Sequence, residues 1–92
     1  MKGCRIVVTC REIRGHCGAG MQVGDRATFD GVRIEGTLCI HAMASMMSKI
    51  FAMHQGVQFR WLKDPNVATH LCPDAANPVT YELRREPLTG TE

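Results

Sequence analysis

Leu38-Cys39-Ile40-His41-Ala42-Met43-Ala44-Ser45-Met46-Met47-Ser48-Lys49-Ile50-Phe51-Ala52-Met53 is the longest apolar segment of the 92-residue chain, and its period is helical. Cys39, Met43, Met46, Ile50 and Met53 recur at alternating spacings of four and three and form one apolar seam. Ile40, Ala44, Met47 and Phe51 form a second seam beside it. Only His41, Ser45, Ser48 and Lys49 leave a polar strip. Gly36-Thr37 precede the helix, which runs to about Gln55 with Gly56 as its C-terminal stop. A helix apolar over most of its girth is either central in a core or shared with a second subunit. In a domain this small the second option predicts a homo-oligomer, most simply a symmetric dimer.

The segments on either side of the helix read as strands. Cys4 to Arg11 is rich in β-branched residues, with Cys4, Ile6, Val8 and Cys10 on the face to be buried. Arg14 to Gly24 holds four glycines around His16-Cys17 and is a loop. Ala27-Thr28-Phe29 and Val32-Arg33-Ile34 flank Asp30-Gly31, which predicts a hairpin closed by a two-residue type I′ turn. Gln58 to Leu62 is a short extended piece ending at Asp64-Pro65. Val67 to Cys72 alternates, with Ala68, His70 and Cys72 on one face. Pro73 to Pro78 is a turn, Val79 to Leu83 a closing strand, and the tail from about Glu86 frays. This order predicts a single α+β domain over residues 1–92: a small antiparallel sheet with one main amphipathic, Met-rich helix packed on it.

Composition narrows the function classes. The chain is 45% hydrophobic and 22% charged, as a folded globular protein is. Net charge is only +2 and the arginines are scattered from Arg5 to Arg85, so no basic stripe points to nucleic acid. The apolar run Ile6-Val7-Val8 is too short for a signal peptide, and the polar residues of the helix argue against a membrane span. The expectation is a cytoplasmic protein with reduced thiols. Its five cysteines are an odd number and cannot all pair within one chain.

Those cysteines carry the one constellation with chemical promise. Their spacings are C-x5-C, C-x6-C, C-x21-C and C-x32-C, with none of the close pairs of a zinc ribbon or ferredoxin. Cys4 and Cys10 read as small core fillers. Cys17 lies among glycines, where backbone amides approach closely. Cys39 lies in the first helical turn, where unpaired N–H groups favour a thiolate. Cys72 precedes a proline. His70 and Cys72, two apart on a strand, can reach one site. Cys39 and His41, two apart on a helix, stand roughly 200° apart around the axis, which makes His41 a surface residue. His54 reads as an ordinary helix-end residue. Against all of this stands the plain alternative that the five cysteines are inert small residues.

Cys17-Gly18-Ala19-Gly20 with Val23-Gly24-Asp25, Leu38-Cys39 after Gly36, Gly56 with Phe59 and Trp61, Asp64-Pro65, Cys72-Pro73-Asp74 and Asn77-Pro78-Val79 together resemble a family. It is a group of small cysteine-containing prokaryotic proteins, some in tandem copies, without an established activity. The resemblance spans the first strand to about Arg85. It implies that Cys17, Cys39 and Cys72 act together, while Cys4 and Cys10 are peculiar to this chain. Arg60 departs from the pattern, which has proline between the two aromatic residues.

With the resemblance added, the favoured expectation is a metal centre held by Cys17, Cys39 and Cys72, with His70 as a further candidate ligand. Three thiolates with an exchangeable fourth position suit an iron–sulfur cluster or a zinc ion. The open position could take water or a small-molecule ligand. The rivals are a non-catalytic oligomeric accessory module with inert cysteines, and a metal-free thiol enzyme or redox sensor using Cys17.

Overall fold

Five strands and one helix follow one another along residues 4–87, the part of the chain that the computed structural model describes. They are β1 (Cys4–Ile13), β2 (Arg26–Phe29), β3 (Ile34–Gly36), α1 (Ile40–His54), β4 (Val67–Leu71) and β5 (Val79–Pro87). The strands make one sheet in the order β3-β2-β1-β5-β4, antiparallel at every step. One helix on one antiparallel sheet places the chain in the α+β class.

Alternation along the strands decides what is buried. Cys4, Ile6, Val8 and Cys10 of β1 face the helix beside Val79, Tyr81 and Leu83 of β5, and all are buried. The helix lies over β1 and β5 and buries Ala42, Met46, Ile50 and Met53 against them. Met43 and Met47 are half-buried, and Ser45, Ser48 and His41 are exposed. Of the second seam, Ile40 remains 68% and Phe51 47% exposed, although Phe51 sets its ring edge-on to Phe29 at 5.3 Å. No helix among the described residues is long and apolar enough to cross a membrane.

Three local expectations change. The connection between β2 and β3 is four residues long, because Phe29 pairs with Ile34. No non-glycine residue among those described has positive φ, so Asp30 cannot form a type I′ turn. Instead Asp30 Oδ1 accepts the N–H groups of Val32 and Arg33, both at 2.8 Å, while Gly31 takes the positive φ. Those two bonds hold the Asp30 carboxyl below the usual carboxylate range. Gln58 to Leu62 forms no strand. The backbone turns there, Leu62 N–H bonding Phe59 C=O, and Trp61 stacks on Phe59 at 4.9 Å. Lastly, β5 reaches Pro87, with Glu86 paired to Arg5. The rest of the expected tail, 88–92, lies outside the described residues.

Arg85 continues the inward alternation of β5 and is buried. Its guanidinium donates to Met53 O at 2.7 Å, Val57 O at 3.0 Å, Pro65 O at 2.6 Å and Asn66 Oδ1 at 3.0 Å. A single side chain thereby fastens the end of α1 and the loop after it to the sheet.

Candidate functional site

Three loops meet at the N-terminal end of α1, and each brings one cysteine. The first leaves β1 at Ile13. It turns at Gly15, whose φ is +87°, and closes a tight turn with Gly20 N–H donating to Cys17 C=O at 3.0 Å. The second is the approach to the helix. Cys39 is the N-cap, extended at φ −61° and ψ 135°, and its carbonyl accepts Met43 N–H at 2.9 Å. The third follows β4. Cys72 N–H donates to Val79 C=O at 2.9 Å, and Val79 N–H donates to Cys72 Sγ at 3.2 Å.

Asn77 ties the first loop to the third. Its Oδ1 accepts His16 N–H at 2.9 Å, and its own N–H bonds Asp74 Oδ1 at 3.2 Å. A Cβ on Gly15 would overlap the Asn77 amide oxygen, so that position tolerates only glycine on two separate grounds. The result is an open cavity of about 760 Å³ whose wall includes Cys17, Cys39 and Cys72. All three are half-buried free thiols.

Cys4 and Cys10 stay in the core. Cys4 donates its S–H to His54 C=O at 3.7 Å. Burial, then the charge of Asp25 and the nearby Cys17, pushes the Cys10 thiol up and keeps it protonated.

Tyr81 was absent from the sequence reading of the site. It is 1% exposed, lies across from Cys10 in the sheet, and forms part of the cavity wall. Burial raises its phenol well above the ordinary range, and Cys10, Cys39, Cys17 and Cys72 around it add to the effect. The phenol is therefore a permanent O–H donor near neutral pH. The alternation Val79, Tyr81, Leu83 was the signal that could have placed it.

The two histidines exchange roles. His41 lines the cavity together with Cys39, although it is exposed. The 200° separation assumed that both residues were helical, but the N-cap backbone is extended and the helical angle does not apply. His70 is not brought to the cavity. Lys49 Nζ donates to Thr69 C=O at 2.8 Å and meets His70 Nδ1 at 3.2 Å. An ammonium can only donate, so Nδ1 accepts and Nε2 carries the hydrogen toward Ser45 Oγ at 2.9 Å. The Ser45 hydroxyl in turn donates to Ala42 C=O at 2.8 Å. Every polar atom of that chain is used, and no base faces the serine hydroxyl. It is a weld between α1 and β4 rather than a nucleophile. Burial, then the charge of Lys49, lowers the His70 imidazole; burial likewise lowers Lys49.

Among the described residues, no three His, Cys, Asp or Glu side chains are grouped as a single metal ion would need. A tetrahedral zinc with bonds of about 2.3 Å draws its sulfurs to within ~3.8 Å of one another. Comparison with protein-family models, with curated proteins and with solved structures found no match for this chain.

Proposed function

We propose that the cavity at the start of α1 is a thiolate metal site served by Cys17, Cys39 and Cys72, with an iron–sulfur cluster favoured over a zinc ion. One observation carries the reading: three cysteines from three separate loops line a single open cavity, while the other two are sealed in the core. Packing alone would bury all five, since free cysteine behaves as a small hydrophobe. A cluster also suits sulfurs that ring a cavity without crowding one point, because each thiolate binds a different iron. The Val79 N–H bonded to Cys72 Sγ is the kind of contact that stabilises a cluster thiolate. His70 has no part in this reading, because both of its ring nitrogens are engaged in the bonds to Lys49 and Ser45.

The test is iron, sulfide and zinc analysis of protein purified without oxygen, with its visible absorbance. Iron with sulfide is expected in the wild type, lost in Cys17→Ala, Cys39→Ala and Cys72→Ala and kept in Cys4→Ala. Wild-type protein free of both metals would overturn the reading.

A second reading rests on the helix, an amphipathic, Met-rich element in this view. Its exposed residues Ile40, Ala44 and Phe51 flank half-buried Met47 along one line. Covering that line with the same surface of a second copy makes a two-fold dimer that serves as an accessory module. Light scattering decides it: a dimer that Met47→Lys dissociates supports the reading, and a monomer at micromolar concentration removes it.

A further inference from the structure

The cavity offers donors without partners. The N–H groups of Ile40, His41 and Ala42 form the first turn of α1, and all three residues line the cavity. The N-cap side chain makes no hydrogen bond to them, and the first turn holds no acidic residue. Cys39 C=O takes Met43 N–H, so the helix proper begins only behind these three groups. A fifteen-residue helix also presents the positive end of its dipole here.

A second observation is independent of the helix. Tyr81 is 1% exposed, and its hydroxyl has no hydrogen-bond partner among the described residues, although it lines the same cavity. That leaves the hydroxyl free to bond a molecule in the cavity. A phenol hydroxyl can donate its hydrogen to an acceptor in the cavity. Asp74, which also lines the cavity, spends Oδ1 on the N–H groups of Ala76 at 3.0 Å and of Asn77.

We propose that the cavity binds a small carboxylate, whose oxygens meet the Tyr81 hydroxyl and the unpaired N–H groups of Ile40, His41 and Ala42. Donors on two sides favour an acceptor, and a charged oxyanion most of all. The proposal rests on the thiolate-site reading only in placing that ligand beside the three sulfurs. Donation from Tyr81 and the helix is the same with or without metal.

Acetate is the probe. Saturation transfer from the protein to the acetate methyl is measured at constant ionic strength, on protein as isolated and after chelation. A saturable signal is expected in both forms. Tyr81→Phe weakens it about tenfold, as loss of one hydrogen bond to a charged group does. Thr80→Val, altered on the opposite face of β5, leaves it unchanged. No saturable signal, or equal affinity in Tyr81→Phe, overturns the proposal. Acetate binding by a wild type without metal retains the proposal and removes the thiolate-centre reading. Metal without acetate binding does the reverse.

Discussion

The two ends of α1 are built in opposite ways. At the C-terminal end Gly56, at φ +92°, sends its N–H to Met53 C=O, and Val57 N–H reaches Ala52 C=O. Cys4 takes His54 C=O, and Arg85 takes Met53 C=O again with Val57 C=O. Carbonyls at the negative end of the helix dipole are thus answered by donors and one positive charge. At the N-terminal end no side chain caps the helix and no acid answers it. The end that closes the fold is saturated, and the end that faces the cysteines is left unsatisfied. The difference teaches where this molecule gives up stability, and sites of function are where proteins do so.

The strongest way to break the comparison is to remove the answer at the closed end. Arg85→Met withdraws the guanidinium from three carbonyls and an amide, of which Met53 C=O keeps Gly56 N–H, and should destabilise the protein by about 3 kcal/mol in urea unfolding. Next in size, Gly15→Ala strains a positive-φ position and displaces Asn77. A loss of about 2 kcal/mol is expected by the same measurement. A smaller effect separates the weld on the helix flank from either end. His70 is lowered in the folded state, so between its folded and unfolded values the unfolded chain binds more protons. Stability should then be full above the ordinary imidazole value of about 6.5 and decline as pH falls through it. Unfolding curves at several pH values should show that decline in the wild type and a flatter profile in His70→Asn. The smallest effect sharpens the comparison most. Tyr81→Phe removes an unpartnered hydroxyl from the open end, so its melting temperature should match or slightly exceed the wild type's. A clear loss of stability would mean that the hydroxyl is already bonded within the protein.

Much of the fold was legible because period and burial agree. The alternation of Cys4, Ile6, Val8 and Cys10 gave the buried face of β1, and Gly56 gave the helix stop. Period failed where the backbone leaves regular geometry. Cys39 could not be placed by helical angles because it is the extended N-cap, and that hid the neighbourhood it shares with His41. His70 and Cys72 share a strand face as read, yet two residues of strand advance the chain about 6.6 Å. That step carries Cys72 past the end of β4 to the cavity and leaves His70 beside the middle of the helix. Arg85 counted only as one of the scattered arginines, a residue type that is usually exposed. The phase of β5, followed two residues beyond Leu83, would have turned it inward. Asn77 carried no period at all; its role comes from joining two loops distant in sequence.

The pairing of β1 with β5 has a consequence in time. The strand nearest the beginning of the described chain lies beside the strand nearest its end, in the centre of the sheet. Such a non-local ladder forms slowly, and on the ribosome it cannot form before β5 has emerged. Until then the loop carrying Cys72 has no Val79 to close on, and Asn77 has no fixed place from which to hold His16 beside Cys17. The wall that the three cysteines share is therefore complete only once β5 has paired.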